Sequence, residues 1–580
     1  MLIKKIEDEI RSYTEDNTEI FEGVKYSQYK LIKRIVNYES QNYPKGKLDS
    51  HNRYKYWFDI ISPRVDSEIK NIDFDTKDIR VYSESDNDSV RVLIANAYLR
   101  KWLKDTKQSE KINDAVELGS SWGNVVWKKI KGDYEIADLR NLYVINQTAK
   151  SLNDTAVIER HEMTQAELRS KDGVWKNVSE VIKSCGNKEF SATNKSEKKE
   201  ATSPSYEIYE RNGEISEQDL FEAQGKSGGN PDKYILAKII IAGLSKNNEK
   251  SGDRYFLYAE PIDEMPYKEY HRGRYQGRWF RTGIIELLMD VQTRSNEIGN
   301  QIAQGLEWAS KSIFRSSDKV IAQNLLDDLT NGDIIRSADL QQVQIRMQGL
   351  DQLIADWNRL MQIADRLTNS HEVIVGEALP SGTPFRLGAM LNQNANKLFD
   401  FIREKLAISL SSLIEDWILP YLLKDLKAEE IVRITGDDDM LRRYYEILIN
   451  SWYTRNLIVI GPHTEEEAQT LKDIKMQELL KNKEALVSLR REFWNNFKPR
   501  IQVDITGERV ALAAELESYA NFINLELDPV RRTALIELAM KKRGIDTEKL
   551  PKSPPQPAPM PNATQMAQGP QGVQAQSPRQ

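Results

Sequence analysis

Five histidines, His51, His161, His271, His371 and His463, are the first residues to weigh for chemistry, because imidazole serves both as a general base and as a metal ligand near neutral pH. They lie far apart along the chain. Neither His161-Glu162 nor His371-Glu372 is followed by a second histidine at the spacing that lets two imidazoles share one zinc on a helix face. Each reads as a surface or loop histidine. The acidic runs Asp437-Asp438-Asp439 and Asp86-Asn87-Asp88 offer hard oxygen donors, but they lack the calcium-loop pattern, and charge runs ordinarily face water. Gly225-Lys226-Ser227 has the ending of a phosphate-binding loop, which requires a glycine where Leu220 stands. With no nucleophile elbow and no paired cysteines, the sequence predicts no catalytic residue, no cofactor and no metal site.

Basic and aromatic residues concentrate between Tyr267 and Arg281, where His271, Arg272, Arg274, Arg278 and Arg281 interleave with Tyr270, Tyr275, Trp279 and Phe280. Arginine forks reach phosphates and aromatic faces stack on bases, so the segment suits nucleic-acid contact. It also suits a junction filled by the aromatics, with the arginines paired to acids of a neighbouring subunit. Overall charge limits the first use: 82 Lys and Arg against 88 Asp and Glu give a formal net charge of -6, where proteins that grip phosphates are usually basic. Such a balance fits a surface that DNA slides past, a conduit more than a clamp.

At 580 residues and 39% hydrophobic content, the chain has material for several folded modules. The single cysteine, Cys185, excludes an intrachain disulfide and fits a reducing compartment. The segment MLIKKIEDEIRSYTEDN carries acids where a signal peptide needs an apolar run, and no stretch approaches about 18 uncharged apolar residues, so no leader and no membrane crossing are expected.

Periodicity supplies the elements that must position these residues. Apolar positions at mixed threes and fours predict two amphipathic helices between Ile3 and Tyr38, and another from Ser89 to Asp105. A short helix, then strands about a hairpin at Gly132-Asp133, follow in KINDAVELGSSWGNVVWKKIKGDYEIADL. Residues Val178 to Gly229 read as hairpins with mobile loops, with a tight turn at Asn212-Gly213; KYILAKIIIAG and RYFLYAE read as strands. This is α+β packing without βαβ alternation. A long helix is predicted from Ile284 to Phe314, a mixed segment with a turn at Asn331-Gly332 from Arg315 to Gln348, and a second helix from Asp351 to Asn369. A loop with Gly376, Pro380, Gly382 and Pro384 opens a third long helix, Ala389 to Trp417, which Pro420 ends or kinks. Helices from Glu465 to Phe493, a strand IQVDIT and helices from Glu508 to Lys542 complete the folded part. The Pro- and Gln-rich stretch from Pro551 is expected to be disordered.

This order of parts resembles that of tailed-phage portal proteins. RGRYQGRWFRTGIIELLMDVQTRSNEIGNQI resembles the approach to the family's first stem helix. LPSGTPFRLGAMLNQNANKLFDFIREKL is similar to the loop and long helix after the stem, and FKPRIQVDITGERVALAAELESYANFI to the strand and crown helices. The resemblance covers residues 20 to 545. It implies a portal fold: an α+β wing over 1–282, stem helices over 283–314 and 351–370, a small α/β clip over 315–350, and a tunnel loop over 371–386. A wing long helix with a helical region over 387–506, crown helices over 507–546 and a disordered tail over 547–580 complete it.

The same resemblance implies a virion protein at one capsid vertex, assembled in the host cytoplasm as a ring of about twelve copies. Its partners would be double-stranded DNA in the channel, the terminase large subunit, the major capsid protein or scaffold, and a head-tail adaptor, with no membrane. The ring would serve packaging and ejection without an enzymatic activity of its own. Gly376, Glu377, Pro380, Gly382 and Arg386 are then the candidate channel residues, and Arg386 is the single basic residue of that loop besides His371. Another homo-oligomeric virion connector or tail protein is the alternative, and a metal-dependent nucleic-acid enzyme built on clustered carboxylates is a second.

Overall fold

The computed structural model describes residues 2–503, apart from short breaks and the longer stretches 191–198, 244–253, 316–340, 344–348, 370–384, 436–441, 455–464 and 489–496. The expected crown and tail, and most of the expected clip and tunnel loop, lie outside the described residues. What is described is mixed α and β, the α+β class that the patterning predicts.

Helices α1 (Leu2–Glu15) and α2 (Gln28–Glu39) flank the hairpin of β1 (Thr18–Phe21) and β2 (Val24–Tyr26). Then come α3 (Ser62–Asn71), β3 (Ile79–Tyr82), α4 (Ser89–Asp105), α5 (Gln108–Trp122), β4 (Asn124–Ile130) and β5 (Asp133–Ile136), with β4 and β5 turning at Lys131-Gly132, one residue before the expected Gly132-Asp133. A larger sheet is built from β6 (Leu142–Val144), β7 (Val157–Thr164), β8 (Asn187–Phe190), β9 (Lys199–Ser216), β10 (Tyr234–Ala242) and β11 (Tyr255–Pro261). Around it lie α6 (Gln165–Ser170), α7 (Val178–Ser184) and α8 (Glu217–Gln224). Its strand order is β11-β10-β9-β7-β6, with β8 on β9, while β12 (Tyr267–His271) joins β4 and β5 in a separate three-stranded sheet.

Strand β10 shows why the sheet is apolar on both sides. Ala237, Ile239 and Ile241 pack with α1 residues Leu2, Ile6 and Tyr13, whereas Ile240 and Ala242 pack with Leu168, Val178 and Val181 of α6 and α7. Side chains alternate across a strand, so a strand covered on both faces reads as a continuous apolar run. Charged pairs fasten α1 to its face: Arg211 holds Glu9 at 2.9 Å, Arg254 holds Glu7 at 2.6 Å and Lys5 holds Asp219 at 2.8 Å.

Several expectations are corrected. Asn212 and Gly213 are not a turn but interior residues of β9, paired with Lys238 and Ala237 of β10. A Cβ at Gly213 would come within 2.7 Å of the Ala156 side chain, so the glycine permits a close approach of another backbone. The helical pattern after Glu465 stops at Leu479, closing α13 (Glu465–Leu479). Strand β16 (Glu484–Ser488) follows and pairs with β15 (Ile431–Thr435), so the region is not wholly helical. β17 (Arg500–Val503) pairs with β3, a partner more than 400 positions away that local pattern cannot name.

Three long helices follow the sheets: α9 (Ile284–Ser310), α10 (Leu350–Thr368) and α11 (Phe385–Leu413). α9 ends four residues before Phe314, which lies instead in β13 (Ile313–Arg315), antiparallel to β14 (Gln341–Val343). α11 passes through a π turn, Ile414–Ile418, into α12 (Leu419–Ala428), so Pro420 does not end the helical run, and an irregular turn directly precedes it. Proline has no N–H for the carbonyl one turn back, and the wider turn just before it absorbs that mismatch. Lys268 supplies a donor there, 3.0 Å from the Ser412 carbonyl, and pairs with Asp416. The run Lys397–Lys424 is long and apolar enough to cross a bilayer by composition, which the sequence reading did not expect; half of its most apolar window is buried in the body, as in a core helix.

The start of α9 is set by a backbone crossing. Gly123, left-handed at φ +85°, ends α5, and a Cβ there would stand 2.5 Å from the Gly283 nitrogen. A Cβ on Gly283 would in turn meet the Gly123 nitrogen at 2.5 Å. Neither position admits a side chain without parting the two segments. Gly123→Ala and Gly283→Ala are therefore expected to cost about 2–4 kcal/mol in chemical denaturation. Gly23→Ala, at φ +77° with nothing within 4 Å, should cost about 1–2 kcal/mol. Equal costs at all three positions would contradict the crossing.

Candidate functional site at the start of the long helix

Helices α9 and α10 pack along one another, with the β13–β14 strands between them in sequence. One face of α9 carries amides at every fourth position: Gln292, Asn296 and Asn300. They act as a strand edge for the extended segment 56–60. Ile60 N–H donates to Gln292 Oε1 at 3.0 Å, Phe58 N–H to Asn296 Oδ1 at 2.9 Å, and Tyr56 N–H to Asn300 Oδ1 at 2.8 Å. In return Gln292 Nε2 donates to the Phe58 carbonyl at 2.6 Å and Asn300 Nδ2 to that of Tyr56 at 2.9 Å. Four helical residues rise about 6.0 Å and two extended residues about 6.6 Å, so the two repeats nearly match. Gly299 leaves room for Phe58 and Trp357, whose rings meet edge-on at 5.1 Å. This ladder was missed in the sequence; its signal is the amide spacing of four on the polar face of an otherwise apolar helix.

Below the ladder, the basic and aromatic segment Tyr267 to Arg281 forms the junction. Trp279 and Phe280 are fully buried. Arg272 grips the buried Glu68 carboxylate at 2.5 and 2.6 Å, and Arg278 holds Glu286 of α9 at 2.7 Å with its guanidinium over the Tyr26 ring. Arg281 stacks on Tyr275 at 4.6 Å and donates to the Trp279 carbonyl. Arg274 is exposed. The sequence offered these four arginines to DNA or to a neighbouring subunit; Arg272 and Arg278 instead meet acids of their own chain. Asn124, wholly buried, binds the crossing on both sides: its amide donates to the Trp122 and Arg281 carbonyls, and its oxygen accepts from Arg281 N–H at 2.9 Å and His271 Nδ1 at 2.8 Å. His271 is thus a strand residue held in a network, not a loop histidine. Burial pulls its pKa below the usual value against the opposing Glu269.

A second charged group joins the two sheets. Glu159 and His161 lie two apart on β7 and share a face, and Glu210 of β9 stands directly opposite Glu159. Like charges facing across a ladder repel, and Lys128 of β4 reaches over from the other sheet to separate them, its Nζ 2.5 Å from Glu159 and 3.1 Å from Glu210. Lys238 adds a contact of 3.1 Å to Glu210; Tyr267 OH donates to Glu159 at 3.0 Å, and Asn212 donates to Glu210 and to Tyr267 OH. Burial works to raise the Glu210 carboxyl, but His161, Lys128, Lys238 and Asn212 together hold it well below its usual range. Burial works to lower the Lys128 ammonium, yet Glu210 and Glu159 raise it above its usual value. His161, expected on the surface or in a loop, therefore lies beside a buried ion network. A cleft of about 340 Å³, lined among others by His161, Trp175, Glu210, Lys238 and Tyr258, opens on it.

The other sequence candidates are placed as follows. Gly376, Glu377, Pro380 and Gly382 lie outside the described residues, as do His51, His371, His463, Asp86 and Asp437-Asp438-Asp439. Arg386 lies in the first turn of α11. Asp88 does not face water: it is buried, accepting from Ser83 at 2.8 Å and pairing with Arg91 at 2.6 Å. Gly225 is the left-handed C-cap of α8, which accounts for the glycine of the Gly-Lys-Ser run. No protein-family model matches the chain, and no curated protein matches it.

Two outcomes follow from this geometry. Gln292→Ala strands the buried Ile60 N–H and is expected to cost about 1–3 kcal/mol, more than Asn300→Ala at the exposed end. Because Gln292 also donates to Asn296, the double variant Gln292→Ala/Asn296→Ala should fall short of the sum of its two singles in urea denaturation; strict additivity would contradict the ladder. Glu210, with its folded pKa lowered, gives stability that is fully present above its usual 4.5 and lost as pH falls below it. Lys128, with its folded pKa raised, gives stability that is present below its usual 10.5 and lost as pH climbs through the folded value. Urea midpoints measured across pH should drop at both ends, and Glu210→Gln should flatten the acid limb; an unchanged acid limb would contradict the assignment.

Proposed function

We propose that the chain is a portal protein, a non-enzymatic subunit of the ring through which packaged DNA enters and leaves a capsid. The observation that carries this reading is the helical module α9, β13–β14, α10. Two helices pack side by side with paired strands between them in sequence, and they are rooted in an α+β body, with a third long helix, α11, after them. At 27 residues α9 is about 40 Å long, a length suited to the wall of a channel. In this reading α9 and α10 are the stem, the segment between them the clip, the sheets and α11 the wing, and the stretch 371–386 the tunnel loop.

Mechanism then follows from rigidity. The glycine crossing and the amide ladder hold the stem to the wing, so a rotation of one subunit against its neighbour moves stem and wing together. Hydrolysis belongs to a separate terminase motor, and weak contact with DNA is in keeping with the net charge of -6. Arg386 and Glu377, at the edges of the tunnel loop, are the channel contacts this reading selects. A metal-dependent nucleic-acid enzyme is the second reading and would draw on Glu159, His161 and Glu210. It is disfavoured because Glu159 and Glu210 are both buried between the two sheets, where a cleft can admit a small ion but not a nucleic-acid strand.

Native mass spectrometry of the purified chain tests the assembly. A species near twelve subunit masses is the expected outcome, and a monomer or dimer at micromolar concentration would sink the portal reading.

A further inference from the structure

The group formed by Glu159, His161 and Glu210 has geometry that its ion pairs do not use up. His161 Nε2 is buried and makes no well-aligned hydrogen bond, with Glu159 Oε2 at 3.6 Å and Glu210 Oε2 at 3.4 Å as its polar neighbours. In a tetrahedral site with metal–ligand bonds of about 2.0–2.1 Å, neighbouring donor atoms stand roughly 3.3 Å apart. Both separations are close to that edge, and one donor atom from each of the three residues falls within 4.8 Å of the others. The backbone fixes this arrangement, because the donors come from adjacent paired strands and not from loops.

Lys128 shows that the position attracts a cation. Its ammonium lies against the same two Oε2 atoms that face His161, at 2.5 and 3.1 Å. The cleft of about 340 Å³ reaches His161 and Glu210 from outside, so an ion has a path inward and water can complete its coordination.

We propose that Glu159, His161 and Glu210 bind one first-row divalent cation of the zinc or cobalt type, which takes over from the Lys128 ammonium the neutralisation of the two carboxylates. One imidazole with two carboxylates suits these ions, whereas magnesium and calcium favour all-oxygen sets. Lys128 is the built-in competitor. The ion must displace an ammonium from buried carboxylates, so native affinity is held down and removal of the ammonium raises it. Bound metal would tie β7 to β9 directly. This site stands independently of the portal reading.

Titration of the full-length chain with Co²⁺, followed by its visible d–d absorption, tests the proposal. The expected result is a saturable band at one ion per chain in the native protein, about tenfold tighter binding in Lys128→Met, and loss of the band in His161→Ala. Far-UV circular dichroism checks that each variant is folded. Should Lys128→Met fail to fold, Lys238→Met, which removes the more exposed competitor on Glu210, replaces it with the same expected tightening. No band in the native chain, a band in Lys128→Met alone, or a band that His161→Ala leaves unchanged would each overturn the proposal.

Discussion

The start of the long helix α9 depends on the contact between Gly123 and Gly283. Two backbones pass so closely there that no Cβ fits on either. The helix α5 ends in the left-handed conformation of Gly123, and α9 begins immediately beyond Gly283. Asn124, next in line, spends its whole hydrogen-bonding capacity on the same crossing. With origin and direction fixed at that point, the amide ladder on α9 extends the hold along three successive turns by giving the segment 56–60 the partners a neighbouring strand would give. A helix fastened in this way moves with its body.

The two sheets meet through charge as well as apolar packing. Placing Glu159 opposite Glu210 in adjacent strands is unfavourable alone, and it holds because Lys128, Lys238, Tyr267 and Asn212 converge on the pair from β4, β9, β10 and β12. Buried charges of this kind contribute little net stability compared with apolar packing, but removing one partner is expensive because the others are stranded. Such a network therefore fixes which strands face each other more than it adds to stability. It also places a histidine beside two carboxylates under an open cleft.

Much of the architecture was legible in the sequence because its helices are long and periodic. Helix α4 runs from Ser89 to Asp105 as the pattern predicts, and α9 and α10 differ from expectation mainly at their ends. What escaped was non-local. The Asn212-Gly213 pair has the composition of a turn, yet β7 and β10 flank it and turn it into strand. β17 finds β3 across the chain. The helical periodicity after Leu479 yields to pairing with β15. At the site, Arg272 and Arg278 were visible as basic residues, but Glu68 and Glu286 were not visible as their partners. His161 and His271 look isolated in sequence because the residues that surround them come from other strands. Their neighbours Glu159 and Glu269, each two positions away on the same strand face, were the available signal.

The central claim is that α9 and α10 form the wall of a channel in a ring of identical subunits. A cryo-electron microscopy reconstruction of the assembled chain tests it most directly. The account predicts a closed ring of about twelve subunits in which α9 and α10 run along the central axis, with the segment between them protruding at one end. A ring whose axis is lined by other elements, or a chain that forms no ring, would contradict it.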